Sequence, residues 1–506
     1  MVVRSAASGK AEAFDSRETA PLASFQTMYD GNPASKSKGA LSMGVPGELA
    51  GLHAAWSRHG RLPWKSLLQP SIALARDGFR ISPNLADSIQ EKEALIRADP
   101  GLRSVFVLDG QLLRAGDTAR NPALARTLAA VAADGPRALY GGAVGEALIR
   151  DVQDAGGLLT MDDLRSYNFT VTDALTADAL GYTIVGMPPP SSGTVGLSMI
   201  ATILAGYGSP ESAAGALGVH RLVESLKHMF AVRMNLGDPD FVNVTAYVSE
   251  MLSSSFAEKI RRRILDDATF GPEYYLPRWS QLSDHGTSHL CVVDSERNAV
   301  SMTSTVNFPF GGGVLSPATG IVLNNEMDDF STPGDSDPDK LPPAPSNFIE
   351  PRKRPLSSMT PIIVLKNGQL AGIIGASGGL NIISAVTQVF LNHFVLGMEA
   401  LDAVRHPRVY HKLIPNVVKY ENLTTTGGEH IGLSAEARAF LAERGHVLSP
   451  VGVATVCQLV VQDLRIPVDS RKEKNRGLGE GEGTPVFHGL LTAVSDPRKG
   501  GRPAGL

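Results

Sequence analysis

The hydrophobic period of this chain changes once, close to Thr287, and no linker marks the change. Before that point residues 46–57, 66–76, 121–133 and 219–236 repeat apolar side chains at three and four. That is the period of one helix face, and Pro, Ser or Asn stands near each start. A short strand is expected at 182–185, then a Pro/Ser/Gly loop at 187–193 and a helix at 195–204. Val2 and Val3 read as part of a strand. From Thr287 onward the pattern is one of short β-like runs joined by glycine turns, at 289–293, 299–304, 321–325, 361–365 and 370–375. An apolar helix at 382–396 is expected to pack on them. Residues 331–355, polar and rich in proline, read as a long surface loop.

Composition narrows the function. A chain of 506 residues that is 43% hydrophobic and 19% charged has material for a large core, which excludes global disorder. Its 47 basic and 51 acidic residues leave a net charge of -4, with no one-sided field to attract nucleic acid or an acidic membrane. Cys291 and Cys457 are too few for a disulfide framework or a four-ligand zinc site, and one bridge between them stays open. No apolar run is long enough to cross a bilayer, and the N-terminus lacks the basic and apolar regions of a signal peptide. Phosphate-loop, zinc-protease and dinucleotide motifs do not occur, so no cofactor or metal is expected.

Three patterns carry possible chemistry. Gly375-Ala376-Ser377-Gly378-Gly379 fits G-x-S-x-G between a strand and a helix, which would make Ser377 a nucleophile served by Asp402 and His406 or His411. The alternative is a glycine turn whose backbone N–H groups approach an anion or a developing oxyanion. Asp284-His285-Gly286-Thr287-Ser288-His289 sits where the two patterns meet. A Thr hydroxyl there can attack the preceding carbonyl, and hydrolysis of the ester would leave Thr287 with its hydroxyl beside its own α-amine, nucleophile and base in one residue. The sets 303–307 and 324–329 gather amide, hydroxyl and acidic groups able to hold an ammonium group or a cation, without EF-hand spacing. Each of these has a plain alternative as a turn or a strand start.

Taken in order, the motifs resemble the γ-glutamyltranspeptidase family. They are Asp15-Ser16-Arg17-Glu18-Thr19-Ala20-Pro21, the Pro-Pro-Pro-Ser-Ser-Gly loop, Gly286-Thr287-Ser288-His289, Leu323 through Ser331, Pro355-Leu356-Ser357-Ser358-Met359-Thr360-Pro361 and Gly375 through Gly379. The likeness runs the length of the chain, and Tyr274-Tyr275, Arg278-Trp279-Ser280 and Asn347 through Pro351 resemble its plant-type branch.

The resemblance implies an α+β fold, the four-layer αββα sandwich of the N-terminal nucleophile hydrolases, from a precursor that cuts itself between Gly286 and Thr287. Residues 1–286 and 287–506 would form the large and small subunits of a heterodimer sharing one fold. It implies Thr287 as nucleophile, Thr305 orienting its amine, and Gly378 and Gly379 as oxyanion donors, which demotes Ser377. Arg17, Ser357 and Ser358 would hold the donor's α-carboxylate, and Asn307, Glu326 and Asp329 its α-ammonium. Donors would be glutathione and its conjugates, acceptors water, an amino acid or a dipeptide, with no cofactor and no nucleic acid. Rival expectations are a Ser377 hydrolase or a catalytically impaired relative. Members of the family usually carry an N-terminal signal or anchor and act outside the cell or in the vacuole. Against that pattern the sequence is expected to be incomplete at its N-terminus.

Overall fold

The computed structural model describes residues 1–281, 286–335, 341–425, 427–464 and 489–505. Two antiparallel sheets lie face to face. The first has five strands in the spatial order Ser288–Val293, Ala299–Ser304, Val2–Arg4, Ala11–Asp15 and Thr170–Asp173. The second has six, in the order Leu491–Ser495, Val456–Gln462, Gln369–Ser377, Ile362–Lys366, Tyr182–Gly186 and Leu175–Ala179. Both sheets take strands from either side of Thr287. The absence of a linker there has this physical reason: the two patterns belong to one core.

Side-chain alternation sets the layers. Along Ser288–Val293 exposed and half-buried residues alternate, so His289, Cys291 and Val293 face the second sheet. The space between the sheets is filled by Val2, Ala13 and Ala299 from one side and by Val185, Ile363 and Ile373 from the other. Ile362–Leu365 and Leu370–Ser377, in contrast, are buried on consecutive residues. They are covered on both faces, because helices Gly193–Ala205 and Ile382–Phe390 pack on the outer one, with Gly215–Arg233 against Gly193–Ala205. On the far side helix Glu48–His59 lies on strand Ala11–Asp15, where Arg58 and His59 pair with Glu12 at 2.6 and 2.7 Å. The result is helix, sheet, sheet, helix.

Three expectations are corrected. Residues 321–325 do not form a strand beyond a single bridge between Leu315 and Val322. Instead, Asn324 exchanges side-chain bonds with the backbone of Gly44, at 2.9 and 3.0 Å, and the chain turns into the short 3-10 helix Glu326–Asp329. Amide side chains offered the backbone an alternative to a ladder. The described part of 331–355 is not a surface loop, since Ala344, Asn347 and Ile349 are buried and Ser331 bridges Phe348. The helix expected over 382–396 is α-helical only to Phe390 and continues as a π turn over Leu391–Val395.

Cys291 and Cys457 are both free. Cys457 packs among the helix-side residues while Cys291 faces the inter-sheet space, so the second sheet lies between them. Among the described residues no helix is long and apolar enough to cross a membrane.

Candidate active site

Thr287, immediately before strand Ser288–Val293, has φ +99°, and Gly286 precedes it with φ +70°. Left-handed backbone suits glycine, but for a β-branched residue it is a true outlier and costs about 1–3 kcal/mol. Glycine at 286 is also required by space: a Cβ there would lie 1.4 Å from the carbonyl oxygen of Asn307. The bond between the two residues is therefore held in a conformation the chain would not choose.

Strand Gln369–Ser377 ends at a turn where Gly378 and Gly379 have φ +131° and +56°. A Cβ on Gly378 would come within 2.4 Å of the Ala454 carbonyl. The turn thus aims its amides without side chains in the way, and the Gly378 N–H donates to the Gly286 carbonyl oxygen at 3.0 Å. A donor on the oxygen of the Gly286–Thr287 peptide is what a tetrahedral intermediate at that carbon would need.

Beside Thr287 opens a cleft with about 660 Å³ of empty space, lined among others by Arg17, Glu18, Glu48, Thr305, Asp329 and Ser357. Arg17 is buried between two carboxylates: it contacts Glu326 at 3.2 Å and Asp329 more closely, and its Nε donates to the Pro355 carbonyl at 3.2 Å. Both acids come from the 3-10 turn Glu326–Asp329, which follows residues 321–325. Asn307, buried at φ +67°, donates its N–H to Thr305 Oγ1 at 2.8 Å and its Nδ2 to the Asn325 carbonyl at 3.1 Å. Ser358 is fully buried, and its Oγ accepts from Arg233 Nη2 at 2.7 Å.

Arg17, Thr305, Asp329 and Ser357 thus line one cleft with Thr287, while Asn307 and Gly378 line a second cavity that Thr287 also borders. Glu326 and Ser358 stand behind this lining as the buried partners of Arg17 and Arg233, and Gly379 starts the short 3-10 turn that follows Gly378. Asp284 and His285 lie outside the described residues. Ser377 is buried, and the side chains offered as its relay are bonded elsewhere: Asp402 to Arg405 at 2.7 Å, His406 to the Pro407 carbonyl at 3.1 Å, and His411 Nδ1 to the Leu413 N–H at 2.9 Å.

Electrostatics distinguish two groups near Thr287. Burial pushes the Glu18 carboxyl up to about 7, with the neighbouring Arg17 opposing the shift. Burial holds His289 down to about 3, so the ring that contacts Thr303 Oγ1 at 3.0 Å is neutral.

Sequence reasoning missed three residues. Glu18 stands in the sequence only as one position of the motif Asp15 through Pro21. Arg233, wholly buried, ties Ser192, Gln281 and Ser358 together at 2.7–2.8 Å. Asn347 donates to the Asp329 carbonyl at 2.7 Å and accepts from the Leu356 N–H at 2.8 Å, which fixes the acidic turn from behind. An Arg inside an apolar helix pattern is the available signal for Arg233; Asn347 stands in the plant-type stretch 347–351, but nothing in that stretch marks it as the support of the acidic turn.

For a metal, ligand atoms converge among the described residues in one three-residue set, His220, Glu224 and His446. There Glu224 accepts from Thr269 and Tyr275, both at 2.6 Å, and pairs with Lys227 at 3.2 Å, so its oxygens are already engaged.

A family model described as γ-glutamyltranspeptidase matches residues 1–506. Glutathione hydrolase 3 of Arabidopsis thaliana is 57% identical over 507 residues, covering 100% of this chain and 80% of that protein. Among solved structures, cephalosporin acylase from Bacillus halodurans superposes with a TM-score of 0.78 at 22% identity, over 99% of this chain and 85% of that one, a likeness of fold. Helicobacter pylori γ-glutamyltranspeptidase is 30% identical with a TM-score of 0.51, over 56% of this chain and 82% of that one. With its αββα core and a family match over its whole length, this chain belongs to the γ-glutamyltranspeptidase family, with the fold of the N-terminal nucleophile hydrolases.

Proposed function

We propose that this chain is the precursor of a γ-glutamyl-transfer enzyme that cuts itself between Gly286 and Thr287 and then acts on glutathione and its conjugates. The observation that carries the reading is the Gly378 N–H on the Gly286 carbonyl, at 3.0 Å, across a peptide bond flanked by left-handed backbone on both sides. Thr287 Oγ attacks that carbonyl carbon and its hydroxyl proton passes to the departing amide nitrogen. The oxyanion is met by Gly378, the C–N bond breaks, and water hydrolyses the resulting ester. Two fragments, residues 1–286 and 287–506, remain together as a heterodimer because each contributes strands to both sheets.

Turnover reuses the same turn. The freed amine of Thr287, oriented by Thr305, takes the proton of its own hydroxyl as Oγ attacks the γ-amide carbon of the donor. Gly378 and Gly379 hold the oxyanion, the leaving amine departs with the proton, and a γ-glutamyl ester remains on Thr287. Water then releases glutamate, or the amine of an amino acid or dipeptide takes the γ-glutamyl group.

Charge fits the donor's head. Arg17, with Ser357 and Ser358, suits an α-carboxylate, since a guanidinium gives two parallel N–H bonds. Asn307, Glu326 and Asp329 suit the α-ammonium. That Arg17 already stands between Glu326 and Asp329 means the acidic and basic halves of such a pocket are in contact before a zwitterion arrives. On family grounds the compartment is extracellular, at the plasma membrane, or vacuolar.

Mass spectrometry of the purified protein tests the reading: a fragment beginning at Thr287 is expected. Thr287→Ala should remain one chain and release nothing from a γ-glutamyl anilide; two fragments from that variant would refute it.

A further inference from the structure

Helix Gly215–Arg233 ends on an arginine that is wholly buried, although Leu226, Met229 and Phe230 on the turns before it belong to the apolar core. A helix C-terminus concentrates partial negative charge, which suits a cation there. A guanidinium carries N–H donors in a planar fork and no acceptor, so every oxygen it contacts must accept. Those oxygens are Ser192 Oγ at 2.8 Å, Gln281 Oε1 at 2.7 Å and Ser358 Oγ at 2.7 Å, one on each nitrogen.

A hydroxyl that accepts from Arg233 keeps its own proton for a second partner. Ser192 gives its proton to the Ser357 carbonyl at 2.7 Å, and its backbone N–H reaches the same oxygen at 2.8 Å. The Ser357 N–H in turn donates to the Pro190 carbonyl at 2.9 Å, so residue 357 is clamped on the loop before helix Gly193–Ala205. Ser357 lines the cleft beside Thr287, and its Oγ accepts from the Met359 N–H at 3.1 Å. Among the described residues neither Ser357 Oγ nor Ser358 Oγ has an acceptor for its own proton. The third arm of Arg233 reaches the acidic turn, because Gln281 donates from Nε2 to the Asp329 carbonyl at 3.4 Å. One guanidinium therefore fixes the serine pair and the acidic turn relative to each other.

We infer that Arg233 is a positioning residue for the donor: it holds Ser358 directly, and Ser357 through Ser192, so that both hydroxyl protons are left for the α-carboxylate of the γ-glutamyl head. This rests on the γ-glutamyl-transfer reading above. Arg233 acts through the serines and not on the substrate. Lysine in its place would keep the charge but put its donors on one nitrogen, which cannot span the three acceptors that the fork holds.

Two donors separate positioning from general support of the fold: a γ-glutamyl anilide, and the same anilide with its α-carboxylate converted to a carboxamide. For the unmodified protein kcat/KM should favour the carboxylate. In Arg233→Lys the ratio of the two kcat/KM values should fall about 5- to 50-fold, because a hydrogen bond to a charged group is misdirected, and the loss should appear in KM. With Ser358→Ala already present, the same replacement should lower the ratio by less than about 3-fold, since the hydroxyl it orients is gone. Should Arg233→Lys fail to unfold cooperatively, Ser192→Ala, which breaks only the link to Ser357, carries the test with a fall of about 2- to 10-fold. An equal loss on both donors, or an unmodified protein with no preference for the carboxylate, overturns the inference. An unmodified protein that turns over neither donor refutes the γ-glutamyl-transfer reading itself.

Discussion

Replacing Gly286 by alanine should separate cleavage from catalysis. The added Cβ would sit 1.4 Å from the Asn307 carbonyl oxygen, where contacts under 3.0 Å essentially never occur, so the two backbones must move apart by about 1.6 Å. Neither atom belongs to a flexible side chain. Alanine at φ +70° adds a further cost of roughly 1–2 kcal/mol, which pushes the residue out of the left-handed region. A shift of this size breaks the 3.0 Å bond from Gly378 to the Gly286 carbonyl. Losing one oxyanion donor costs about 10²- to 10³-fold in rate, and an ångström of misplacement costs a similar factor. Self-cleavage of Gly286→Ala, followed as loss of full-length chain on a denaturing gel after synthesis in vitro, should therefore slow by at least about 10²-fold. Residue 286 is outside the acyl-transfer path once the bond is cut. Fragments 1–286 carrying the alanine and 287–506, produced together as separate chains, should turn over donor much as unmodified fragments do. Cleavage of Gly286→Ala within tenfold of the natural rate would refute the reasoning.

Other outcomes follow from the same geometry. Asp329→Ala should leave self-cleavage intact and lower kcat/KM for a γ-glutamyl donor about 10- to 150-fold, the worth of one hydrogen bond to a charged group; unchanged saturation kinetics would remove Asp329 from the ammonium site. Because the folded carboxyl of Glu18 is raised to about 7 from 4.5, the folded protein binds its proton more tightly, and this group's contribution to stability declines between those values as pH rises. Ionised Glu18 adds negative charge to the cleft, so donor KM should fall as pH rises through about 7, and Glu18→Gln should flatten that limb. Asn347→Ala should destabilise the fold by about 1–3 kcal/mol, seen as a lower denaturant midpoint, since it removes the acceptor of the buried Leu356 N–H and one of the donors to the Asp329 carbonyl.

Much of the architecture could be read from periodicity. The expected helices at 46–57 and 66–76 correspond to Glu48–His59 and Trp64–Asp77, and the strand at 299–304 coincides with Ala299–Ser304. These segments bury one face, and one buried face leaves a repeat in the sequence. Residues 321–325 and the described part of 331–355 depart from the sequence pattern because Asn324 and Asn347 bond to backbone elsewhere in the chain. The partner of Asn324 is Gly44 and that of Asn347 is Leu356, and no local pattern records such a choice.

By itself the sequence determined that one chain carries two patterns without a linker, that a Gly–Thr bond lies at their junction, and that the ordered motifs resemble one family. The tertiary structure decided what those motifs do to one another. It brought Gly378 onto the carbonyl of a residue 92 positions earlier. It folded the acidic turn back onto Arg17, and it made Thr287 the border between two cavities. The physical reason is that periodicity records which face of an element is buried. The direction of a hydrogen bond or the sign of a cavity depends on which distant faces meet.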